Sequence, residues 1–124
     1  MKTLILEPTD ETPKVVLDPE NKVFSISGKS FPENVEVFFN PILRWLDEYI
    51  IAPEKETQIE FRLEYFNTAS AKIILDILIR LEKIVPTGNA VLIKWYSKKA
   101  DTEMKEAGEE FSEIIDLNFE YHSY

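Results

Sequence analysis

Residues 60–85, EFRLEYFNTASAKIILDILIRLEKIV, change their period partway along. Ile59, Phe61, Leu63 and Tyr65 alternate with Glu60, Arg62 and Glu64, the period-two pattern of a half-buried strand. Further on, Ile74, Leu75, Leu78, Leu81 and Val85 recur at helical spacing, with Ile73, Ile77 and Ile84 widening the apolar arc. The spacing predicts a strand over Thr57–Tyr65 and a helix over Thr68–Val85. So wide an arc predicts a helix that is mostly buried. Lys72, Asp76 and Arg80, four apart, form a narrow charged ridge with favourable i,i+4 pairs.

Between strand and helix lies a short break, Phe66-Asn67-Thr68-Ala69-Ser70. Asn67 or Thr68 is suited to capping the helix. The same position favours an anion, because the first N–H groups of a helix lack partners and the helix dipole is positive there. A phosphate on Thr68 would bring a charge of about −1.5 to −2 to that end. The N–H groups of Ala69, Ser70 and Ala71 are its expected donors, and Lys72, one turn on, is its expected counter-charge. Ser70 is the rival acceptor in the same stretch.

Outward from this segment, Leu4–Leu6, Val15–Leu17 and Val23–Ser27 read as short strands, the last two as a hairpin over the turn Asp18-Pro19-Glu20-Asn21. Gly28–Asn34 is a loop in which Ser30 or Asn34 would cap the next helix, Val35–Ile51. Val35, Phe38, Phe39, Ile42, Leu43, Leu46 and Ile50 make its apolar stripe, and Pro41 inside it is expected to kink it. After the stop at Pro86-Thr87-Gly88-Asn89, Ala90–Tyr96 alternates as a strand. Glu103–Ile115 reads as a helix capped by Asp101 or Thr102, with Met104, Ala107, Phe111, Ile114 and Ile115 inward and Gly108 permitting a close approach. Phe119–Tyr124 alternates as a last edge strand.

Strands alternating with helices imply parallel β-α-β crossovers beside an antiparallel N-terminal hairpin. Alternating strands are covered on one face only. Right-handed crossovers advancing in one direction place their helices on that face. The expected fold is an α/β two-layer sandwich in one domain, 1–124. It has a mixed, mostly parallel sheet, three helices mainly on one face, and Glu60, Arg62, Glu64 and Lys94 on the open face. The loops at the strand ends, Gly28–Asn34, Phe66–Ser70 and Ser97–Thr102, should cluster, and that edge is where open α/β sheets carry their chemistry.

Composition narrows the function. The net charge is −9, with 23 acidic against 14 basic residues, which disfavours nucleic acid and anionic membrane surfaces and permits partners with basic patches. Cysteine is absent, which excludes disulfides and thiolate metal sites. The start, MKTLILEPT, reads as neither a signal peptide nor a membrane span, so the expected location is the cytoplasm. His122 is the one histidine, and no nucleophile or orienting group stands at informative spacing to it. No glycine-rich phosphate loop is present. No cofactor, metal or catalytic residue is expected, and a small enzyme or ligand-binding domain is the weaker class.

Three blocks carry a resemblance. Tyr65–Lys72 looks like the phospho-acceptor motif of SiaC-type bacterial regulatory phosphoproteins. Gly28–Asn34 leading to Phe39-Asn40-Pro41-Ile42-Leu43-Arg44-Trp45-Leu46, and Trp95-Tyr96 leading to Glu106-Ala107-Gly108-Glu109-Glu110-Phe111, match the same family in the same order. The resemblance covers nearly the whole chain. It implies a fold similar to STAS domains and a non-enzymatic switch. The switch would be phosphorylated on Thr68 by a dedicated Ser/Thr kinase and reset by a PP2C-type phosphatase. It further implies that the unphosphorylated form binds and activates a diguanylate cyclase, in cyclic-di-GMP signalling and biofilm formation. The alternative on the same fold analogy is a partner switch acting on an anti-sigma factor.

Overall fold

The computed structural model describes residues 1–124. Six strands form one sheet in chain order: β1 (Leu4–Leu6), β2 (Lys14–Asp18), β3 (Val23–Ser30), β4 (Glu56–Phe66), β5 (Ala90–Ser97) and β6 (Asn118–Ser123). β1–β2 and β2–β3 pair antiparallel; β3–β4, β4–β5 and β5–β6 pair parallel. The parallel links carry α1 (Val35–Tyr49), α2 (Thr68–Glu82) and α3 (Thr102–Ile114). This is the mixed, mostly parallel sheet with three helices and an N-terminal hairpin that the periodicities predict. No helix is long and apolar enough to cross a membrane.

The core is one cluster. Val15, Leu17, Phe24, Ile26, Ile59, Phe61, Val91, Ile93 and Trp95 come from one face of the strands, and Phe39, Ile42, Leu46, Ile74, Leu78 and Leu81 from the helices above. Fully burying each such side chain contributes about 1.5–3 kcal/mol, so this interleaving fixes the sandwich. At the end of α1 the Trp45 and Tyr49 rings stack 5.1 Å apart, and Phe24 meets Trp45 edge-on. The Trp45 indole N–H donates to the Lys2 carbonyl at 2.7 Å, which ties the start of the chain to α1. Every buried side-chain polar atom has a hydrogen-bond partner.

Several local expectations are corrected. β3 runs on through Ser30, so the loop after it is shorter than Gly28–Asn34. α1 ends at Tyr49, two residues before Ile51, and α2 ends at Glu82, before a single 3₁₀ turn at Val85–Thr87. Ile114 is 65% exposed, because α3 turns it away from the sheet, whereas Ile115 is buried. The ridge on α2 forms no Lys72–Asp76 ion pair. Arg80 instead reaches across to Asp47 of α1 at 2.8 Å, where a facing helix offers a carboxylate.

Gly108 explains how α3 lies so close to the sheet. A Cβ there would sit 2.5 Å from Cδ1 of Trp95, closer than any real contact. The same Trp95 donates its indole N–H to the Met104 carbonyl at 2.9 Å. The glycine that weakens the helix is what lets α3 seat on the tryptophan.

A candidate phospho-switch at the strand ends

β4 does not keep its alternation to the end. Gly28 pairs with Leu63 but Lys29 pairs with Tyr65, so Glu64 is an extra residue in β4 and the ladder is bulged there. A bulge of one residue inverts the side-chain phase beyond it. Tyr65, inward by period two, is therefore 51% exposed. Phe66 turns inward instead, against Trp95 and Phe111, with centroids at 6.4 and 6.3 Å. Tyr65 meets Phe31 edge-to-face at 5.9 Å, and Phe31 is itself 37% exposed. The sequence signal was two aromatics in succession, Tyr65-Phe66, at the end of an alternating strand.

Asn67 is the cap. Its Oδ1 accepts the Ser70 N–H at 2.8 Å, and its carbonyl accepts the Ala71 N–H at 2.9 Å. Thr68 is the first helical residue and is exposed. Only the N–H groups of Thr68 and Ala69 are left without a partner, so two of the three expected donors, Ser70 and Ala71, are already engaged. Lys72 is exposed, one turn on, and takes part in none of the ion pairs.

Ser70, the rival acceptor, is 0% exposed. Its hydroxyl lies 2.8 Å from that of Ser30 and donates to the Ser30 carbonyl at 3.1 Å. The Asn67 N–H donates to the same carbonyl at 3.0 Å. Ser30 therefore pins the start of α2 to the end of β3 and does not cap α1, where Asn34 accepts the Val37 N–H at 3.1 Å. Sequence reading missed this role, because forty residues separate the two serines and only the β3–β4 pairing brings them together. In this conformation Thr68 is open to solvent and Ser70 is closed off from it.

Asp101 caps α3 through the Met104 N–H at 3.0 Å. His122 stacks on Tyr96 at 4.7 Å on the open sheet face and contacts Glu120, with no nucleophile beside it. Arg62 lies over the Tyr96 and Tyr124 rings at 4.2 and 5.0 Å. A cleft of about 530 Å³ lies at the opposite sheet end, lined by Lys22, Phe24, Glu54, Lys55, Glu56 and Gln58, with Phe24 its single apolar wall.

Known proteins align with this geometry along its whole length. The profile described as SiaC family regulatory phosphoprotein matches residues 6–124. A protein of Pseudomonas aeruginosa (strain UCBPP-PA14) is 30% identical over 119 residues, 96% of this chain and 94% of that one. Apo-SiaC from Pseudomonas aeruginosa superimposes with a TM-score of 0.89 at 29% identity, over 98% of this chain and 99% of that one. A SiaC chain from the same species, crystallised with the diguanylate cyclase SiaD that it activates, gives 0.91 at 28%, again over 98% and 99%. The chain belongs to the SiaC family of regulatory phosphoproteins.

Proposed function

We propose that this protein is a non-enzymatic, cytoplasmic switch whose unphosphorylated form binds and activates a diguanylate cyclase, and that phosphorylation of Thr68 turns it off. The single observation that carries the reading is the state of Thr68. It is exposed at the first position of a 15-residue helix, with its own N–H and that of Ala69 free. The TM-score of 0.91 to a SiaC crystallised with the cyclase it activates supports the partner. A phosphate on Thr68 would accept from those two N–H groups, sit at the positive end of the helix and lie one turn from Lys72. Asn67 keeps the cap, so the helix need not unwind. The added charge of about −2 makes this corner costly to desolvate against a partner. A Ser/Thr kinase adds the phosphate and a PP2C-type phosphatase removes it.

The test is direct. The protein is incubated with ATP and the kinase encoded beside its gene, and the phosphosite is mapped by mass spectrometry. Label on Thr68, lost in Thr68→Ala, is expected, together with capture of a diguanylate cyclase by the unmodified protein only. Equal labelling of Thr68→Ala, or capture of an anti-sigma factor in place of the cyclase, would sink this reading.

A further inference from the structure

The bulge in β4 builds something beside Thr68 that the acceptor chemistry does not use. It turns Tyr65 out against Phe31, which leaves two large aromatic side chains exposed together at the sheet's edge. Next to Tyr65 a notch of about 190 Å³ opens between the end of β4 and the start of α3. Its floor is apolar: Tyr65, Phe66, Met104 and Ala107. Its rim is acidic: Glu64, Asp101 and Glu103. The carboxylates are unequally occupied. Glu64 holds Lys98 at 3.2 Å and one Asp101 oxygen caps α3, whereas Glu103 is exposed and unpaired.

An apolar floor with an acidic rim fits a side chain with an aliphatic stem and a cationic head, which is Lys or Arg. The adjoining Phe31–Tyr65 pair offers the edge-on aromatic surface that central interface anchors use. The chain's net charge of −9 is complementary to such a partner. We propose that the diguanylate cyclase docks on this corner, with Phe31 and Tyr65 as its aromatic anchor and the Tyr65–Glu103 notch receiving a basic side chain of the cyclase. The proposal rests on the functional reading above and adds the surface through which it acts. It also supplies the reason for the switch. Thr68 is three residues beyond Tyr65, so a phosphate there must be desolvated at the edge of an apolar contact.

The test is titration calorimetry of the unphosphorylated full chain with the cyclase. Tyr65→Ala and Phe31→Ala should each weaken binding by tenfold or more. Glu103→Lys, an exposed change that leaves the core untouched, should weaken it severalfold, and more so at low salt. Glu54→Lys, at the far end of the sheet, is the control and should stay within twofold. Wild-type binding with all three corner variants within twofold of it overturns the surface while leaving the function standing. No binding by the wild-type chain overturns the functional reading and the surface with it.

Discussion

Asn67 and Thr68 are neighbours with separable tasks. The Asn67 side chain satisfies the Ser70 N–H, a bond that nothing else nearby replaces. Asn67→Ala should therefore cost about 0.5–2 kcal/mol, read as a lower urea midpoint with an unchanged slope. Thr68 makes no capping bond, so Thr68→Ala should stay within about 0.5 kcal/mol of wild type in the same measurement. A variant that removes the proposed acceptor without disturbing the fold is thus available. Asp18 adds a pH dependence. Hydrogen bonds from the Asn21 side chain and N–H, with a further one from Thr3, hold its carboxyl below the ordinary 3.8. A depressed folded value means that the stability it gives is present above pH 3.8 and is lost as pH falls through the lower, folded value. The stability gap between wild type and Asp18→Asn should therefore close as pH drops below 3.8, as followed by thermal melts.

Gly108 shows propensity and packing opposed within one helix. Alanine in place of glycine favours a helix by about 1 kcal/mol. Here its methyl would meet the Trp95 ring at 2.5 Å, and the indole is fixed between Phe61, Phe111 and the Met104 carbonyl. Overpacking of about 1–3 kcal/mol should win, so Gly108→Ala is expected to lower Tm and to perturb Trp95 fluorescence. The close approach was legible from a glycine in mid-helix; its partner was not, because Trp95 reaches it through the fold. The end of β4 has the same character. Alternation over Ile59–Leu63 placed the strand and its inner face correctly. It misplaced Tyr65, because a bulge is a property of how two strands pair and leaves little mark on one strand alone.

Across the whole molecule, the periods of two and 3.6 were enough to order the strands and helices, since every helix and most strands carry one clean apolar side. The Thr68 corner was legible as a strand-to-helix junction. Its internal wiring was not, because the Ser30–Ser70 hydroxyl pair joins residues that are remote in the chain. That wiring lies outside the main core, at the rim of the sheet. Phosphorylation should accordingly leave the domain folded. A charge at a helix start is worth about 0.3–1 kcal/mol, so calorimetry should find Tm unchanged or raised by up to about 5 °C.

The strand order has one more consequence. Each strand pairs with the strand just before it in the chain, from β1 across to β6. No strand must wait for a later one to be inserted beside it. A chain leaving the ribosome can therefore add its sheet one strand at a time, each crossover closing onto a surface already present. β1–β3 emerge first as an antiparallel seed, and β6, at the far edge, docks last. The Thr68 corner can form once β4 and α2 join that seed, before β6 is free to pair with β5. Thr68, the proposed acceptor, can thus be in place while β6 is still inside the exit tunnel.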